Sequence, residues 1–165
     1  MEYLFLRRKS TRVTSVRQKA LLYRAAGREW TARFSSLSDV RPADSLIYKG
    51  ILYQLEIRRA FLDSSLSLKK LSALLETNQT YLSNVVNRYF DCHLKELLNR
   101  YRVEYAKELL RGGCCPLRDV PFRSGFGSKS PFYLAFLRET GMTPKRYAAR
   151  KRNLVDPQID NKVLL

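Results

Sequence analysis

A chain of 165 residues has room for one domain, or for one domain with an unattached arm, and its 45% hydrophobic content suffices for a buried core. Thirty-one Lys and Arg against fifteen Asp and Glu leave a formal net charge of +16. That balance points to a polyanionic partner, whether DNA, RNA or an anionic membrane surface, over a merely basic soluble protein.

From Met1 to Asp44 there are ten basic and four acidic residues, a net of +6, with Gly27, Ser35, Ser36, Ser38 and Pro42 as punctuation. The opening apolar stretch is too short for a signal sequence or a membrane span. Val13, Val16, Ala20 and Tyr23 fall on one side of a helix over residues 13–24, but the charge and the poor periodicity favour a basic linker or N-terminal arm across 1–44. Three cysteines and one histidine, with Cys114 beside Cys115 and no CxxC or HxxxH spacing, argue against a metal site. No cofactor is expected. An odd cysteine count without a signal peptide suits a reducing cytoplasm.

From Ser45 to about Arg152 the pattern is helical almost throughout, with twenty basic and nine acidic residues, a net of +11. Ser45 is the expected N-cap of a first helix whose apolar face is Ile47, Ile51 and Leu55. Ser67 caps a second, with Leu68, Leu71, Leu74 and Leu75 inward, and Asn78 a third, with Leu82, Val85 and Val86 inward. A long helix from Leu94 to Arg111 follows, stopped by Gly112 and Gly113. A second cycle then has a short helix near Leu117–Ser124, a turn at Gly125-Phe126-Gly127 and a helix over Lys129–Glu139. Gly141-Met142-Thr143-Pro144 leads into a last short helix through Tyr147. Residues 153–165 read as a loose C-terminal tail. With no strand-like alternation, the fold class is all-α.

The unit of helix, tight turn and helix thus occurs twice. A helix exposing Gln79, Thr80, Ser83 and Asn84 beside a buried Leu and Val stripe suits a major groove, because these side chains donate and accept at base edges. Taken alone, it is equally a short helix pair with a polar outer face. Leu94–Arg111 is 18 residues, about 27 Å when straight. With the reach of its flanking units, that spacer would hold two reading helices roughly 34 Å apart, one turn of DNA. A plain bundle helix is the alternative.

Residues 46–150 resemble the DNA-binding domain of AraC-type (arabinose-regulator) transcription factors. Gly125-Phe126-Gly127-Ser128-Lys129-Ser130, then Phe132 and Phe136, then Thr140-Gly141-Met142-Thr143-Pro144 and Tyr147 match the family's signature closely. The resemblance implies seven helices, two helix-turn-helix subdomains joined by the long linker helix, and control of transcription initiation, with double-stranded DNA and RNA polymerase as partners. It assigns Gln79, Thr80, Ser83 and Asn84 to DNA in the first unit and Lys129, Ser130, Tyr133 and Leu134 in the second. Gly125 would occupy a turn that suits a residue without Cβ, and Phe126, Phe132 and Phe136 would be core.

Two departures weaken the second unit. Pro121 stands inside its first helix, where proline removes a backbone hydrogen bond unless the helix starts late, near Val120, and Leu134 cannot hydrogen-bond to a base. The chain is therefore read as a sequence-specific regulator. The alternative is a degenerate module that binds protein partners, or DNA without sequence preference. An enzyme is not expected, since His93 joins no catalytic arrangement and no phosphate loop appears. Residues 1–44 are too few and too polar for the sensor that such regulators usually carry, so the upstream signal stays open.

Overall fold

The computed structural model describes residues 16–37 and 40–155, with side chains from 24 to 150 apart from positions 38 and 39. It is all-α: eight α-helices and no strand among these residues. They are α1 (Val16–Ser35), α2 (Ser45–Leu52), α3 (Leu68–Leu74), α4 (Gln79–Phe90), α5 (Leu94–Gly112), α6 (Val120–Arg123), α7 (Lys129–Thr140) and α8 (Pro144–Val155). Helices α2 to α8 are the seven that the resemblance implies, and α1 is additional. Two compact units divide inside α5, one ending at Tyr101 and the other beginning at Arg102.

In the first unit, Ile51, Leu55, Phe61, Leu71, Leu82 and Leu97 are fully buried. Helix α1 belongs to this core. Residues 16–35, expected to be linker, are helical, and Ala26, Trp30 and Phe34 are buried at four-residue steps. Phe34 lies 5.1 Å from Tyr48 of α2 and 5.2 Å from Tyr89 of α4, ring centre to ring centre, and Tyr48 stacks on Phe90 at 5.2 Å. Side chains 16–23, residues 1–15 and residues 156–165 lie outside the described positions, so the one-sided set Val13, Val16, Ala20 and Tyr23 does too, as does most of the expected tail.

Two carboxylates are buried in this unit. Glu56 accepts from Trp30 Nε1 and from Tyr101 Oη, each at 3.0 Å. Asp44 accepts from Tyr81 Oη at 2.6 Å and Tyr89 Oη at 2.7 Å. Burial pushes Glu56 up in pKa, beyond what its two donors and Arg33 offset. Burial also pushes Asp44 up, but the two tyrosine hydroxyls, with Arg41 and Arg88, outweigh it and hold that carboxyl below its usual range.

Ser45 is not the N-cap. A 3-10 turn at Pro42–Asp44 leads into α2, Asp44 takes the cap position and Ser45 is already helical. Its N–H is bonded to the carbonyl of Pro42, so the backbone supplies what a capping hydroxyl would. Beyond Leu52 the chain continues through a π-helical turn at Tyr53–Ile57, which still buries Leu55. Leu74, expected inward, is 54% exposed, because α3 ends there and its buried contacts are made by Leu71 and Ser72.

The second unit has its own core of Val103, Ala106, Leu109, Val120, Phe126, Phe132, Ala135 and Phe136. Phe126 meets Phe132 edge-on at 5.3 Å, and Phe136 meets Tyr147 at 5.5 Å, so these aromatics pack as expected. Helix α6 starts at Val120, three residues later than expected, behind a turn in which the Asp119 N–H reaches the Pro116 carbonyl at 2.9 Å. Pro121 is therefore in the first turn, where an N–H has no intrahelical partner, and no bond is lost. Helix α8 runs to Val155, well past Tyr147. Thr143 Oγ1 accepts from the Arg146 N–H at 3.3 Å to cap it.

Candidate nucleic-acid interface

Each unit carries a short helix that closes on a left-handed residue and leads into a twelve-residue helix. In the first, the Thr77 N–H bonds to the Ser72 carbonyl at 3.0 Å and the Glu76 N–H to Ala73 at 3.2 Å; Glu76 has φ 51°. In the second, the Phe126 N–H bonds to Pro121 at 3.0 Å and the Gly125 N–H to Phe122 at 3.1 Å; Gly125 has φ 89°. This is the same Schellman closure, 49 residues apart. The second connection is one residue longer, and Phe126 fills it from the core side.

The following helices match position for position at a spacing of 50. Leu82, Val85 and Val86 are the buried stripe of α4; Phe132, Ala135 and Phe136 occupy the same positions in α7. Asn78 caps α4 by accepting from the Tyr81 N–H at 2.7 Å, and Ser128 takes that position before α7 without a side-chain bond. Pro131 sits in the first turn of α7, where it disrupts nothing.

The outward faces follow from this register. Gln79, Thr80 and Asn84 are exposed on α4, and Ser83 is half-buried. On α7, Lys129 and Ser130 are exposed, Tyr133 is 41% exposed and Leu134 71%. The four positions expected on each helix thus share one face of that helix. One face carries amide and hydroxyl groups able to pair with base edges; the other is mixed, Lys129 and Ser130 being followed by Tyr133 and Leu134.

Neighbouring groups that sequence reasoning missed fix the orientation of α4. Tyr81 and Tyr89 both donate to Asp44, and the Arg41 N–H donates to Tyr89 Oη at 3.1 Å. Arg41, Asn84, Asn87 and Arg88 line a depression at the edge of α4, placing two cations beside the polar face. His93 Nδ1 lies 3.0 Å from Asn87 Oδ1. Two tyrosines eight residues apart are visible in the sequence, but their shared acceptor 37 and 45 residues upstream is not. In the second unit, residues 120–150 hold six Lys and Arg and a single acid, Glu139. Among the described residues no cluster of His, Cys, Asp and Glu is placed to hold a metal, and no helix is long and apolar enough to cross a membrane.

A family model described as a helix-turn-helix domain matches residues 71–150. The melibiose operon regulatory protein of Escherichia coli strain K12 is 25% identical over 85 residues, 52% of this chain and 28% of that protein, so the chain spans under a third of that relative. Among solved structures, a protein of unknown function from Listeria innocua is 32% identical with a TM-score of 0.56, covering 62% of this chain and 94% of its own. The C-terminal domain of the two-component response regulator yesN from Fusobacterium nucleatum is 28% identical with a TM-score of 0.54, over 61% of this chain and 97% of that one. The C-terminal domain of AraT, a response regulator from Geobacillus stearothermophilus, shares the fold at 24% identity and a TM-score of 0.58, over 75% of this chain and 95% of that one.

Proposed function

The chain belongs to the AraC-type family of helix-turn-helix proteins, and from that premise we propose that it is a transcription regulator that binds duplex DNA with sequence preference. The observation that carries this reading is α4: a capped twelve-residue helix that buries Leu82, Val85 and Val86 and turns Gln79, Thr80 and Asn84 to solvent. Exposed amides and hydroxyls on the second helix of such a unit are the groups that pair with base edges in a major groove. Arg41 and Arg88 supply positive charge at its margin, suited to phosphate. Regulators among the relatives support the transcriptional role. The partners on this reading are double-stranded DNA and RNA polymerase, the compartment is the cytoplasm, and no catalytic step is involved.

The test is affinity for a duplex enriched by the protein from a random pool, against a scrambled duplex of equal length. Asn84→Ala should cost roughly 1–3 kcal/mol on the enriched duplex, relax preference at one base position and spare the scrambled one. Equal losses on both would show that Asn84 reads no base. The degenerate-module alternative keeps one support, the exposed Leu134, and loses the other, since Pro121 does not distort α6.

A further inference from the structure

Helix α7 exposes three large apolar side chains where α4 carries polar ones. At the spacing of 50, Tyr133 stands for Ser83, Leu134 for Asn84 and Leu137 for Asn87. Leu134 is 71% exposed, Leu137 48% and Tyr133 41%. They fall at helical steps of one, three and four residues and so form one strip along the helix. Packing inside the unit does not require it, because Phe132, Ala135 and Phe136 already fill the core.

We propose that α7 reads thymine through its 5-methyl group, with Leu134 at the centre of the contact and Tyr133 and Leu137 flanking it. This rests on the reading above that the second helix of each unit enters a major groove. In that groove the only apolar feature of a base edge is the thymine methyl, and leucine has no donor or acceptor with which to read anything else. Charge selects DNA as the occupant: residues 120–150 carry six cations against Glu139, and Lys129 opens the same helix. The two units then read by different chemistry, hydrogen bonds at α4 and apolar contact at α7. The second would favour thymine by the modest margin of a methyl contact while tolerating small shifts in register, since an apolar contact has no directional bond to break.

The full chain is used to enrich duplexes from a random pool. Each thymine of the best duplex is then replaced singly by deoxyuridine, which removes the methyl and nothing else. At one or two positions the replacement should weaken binding about fourfold, the equivalent of about 0.8 kcal/mol per buried methyl-sized group. Leu134→Ala should erase the deoxyuridine effect there and leave sensitivity elsewhere unchanged. Because the side chain is exposed, the variant should fold, which circular dichroism verifies, and Leu137→Ala gives a second, smaller reading of the same kind. If no deoxyuridine position responds to either variant, the proposal is overturned. If Leu134→Ala changes neither affinity nor the deoxyuridine profile, the strip is off the DNA and the proposal is likewise overturned. If the chain enriches no duplex, the regulator reading falls and this one with it; enrichment with thymine and deoxyuridine equivalent throughout removes only this one.

Discussion

Glu76 and Gly125 hold the same place in their two units, and only Gly125 is suited to it. A left-handed φ of 51° crowds the Cβ of Glu76 against backbone, at a cost of about 1–2 kcal/mol for an L residue. Glu76→Gly relieves this but also loosens the unfolded chain by up to about 1 kcal/mol. The expected outcome is a gain of roughly 0.5–1 kcal/mol in a denaturant melt, whereas Gly125→Ala, with strain offset by a stiffer unfolded chain, should lose roughly 0.5–1 kcal/mol. A loss from Glu76→Gly would mean the carboxylate contributes something that the backbone does not explain. Glu56 makes a different test. Its folded pKa is raised, so its favourable contribution is complete below about 4.3, the unfolded value, and disappears as pH rises through the folded value. Glu56→Gln resembles the neutral acid: its oxygen can accept from Trp30, and its amide can donate to Tyr101 Oη. The stability of Glu56→Gln relative to wild type should therefore grow from about pH 4 upward and then level off. A difference that is flat, or that grows toward acid, contradicts the buried carboxylate. Glu56→Leu should instead cost about 1–3 kcal/mol for each donor it orphans.

Helix α6 shows how a boundary three residues off changes a conclusion. With the start placed near Leu117, Pro121 falls in a helix interior and costs about 3 kcal/mol. With the start at Val120, the fixed φ of proline suits the first turn and nothing is lost. Pro121→Ala should then leave the denaturation midpoint unchanged, or lower stability by about 0.4–1 kcal/mol by freeing the unfolded chain. A clear rise would restore the strained helix. The caps at Ser67 and Asn78 and the stripe of α4 were legible because they are local: a short polar residue, then apolar residues at helical spacing. The core half of α1 was equally periodic, with Ala26, Trp30 and Phe34 at four-residue steps, but Gly27, Ser35 and Ser36 and the surrounding charge read as linker. Ser45 looked like a cap because the turn that replaces it depends on Pro42 and on Asp44, whose carboxylate is committed to two distant tyrosines.

Across the whole chain the charge of +16 makes its own prediction. If DNA binding neutralises about six phosphates, log K should fall with log salt at a slope near −5; a slope shallower than about −2 would remove phosphate contact as the main source of affinity. The polar face of α4 was readable from residue types alone. Arg41 and Arg88 at its margin were not, since one precedes α2 and their meeting depends on the tertiary fold. One feature of that fold also makes the chain measurable. Trp30 is the only tryptophan, it is 2% exposed, and its indole nitrogen is held by Glu56. Its fluorescence is therefore a built-in probe of the first unit, silent about the second, while circular dichroism sums helices from both. If the two units unfold together, the two signals will trace one denaturation curve. If they part company, the interval between the midpoints measures how far one unit outlasts the other. No label need be attached to find out.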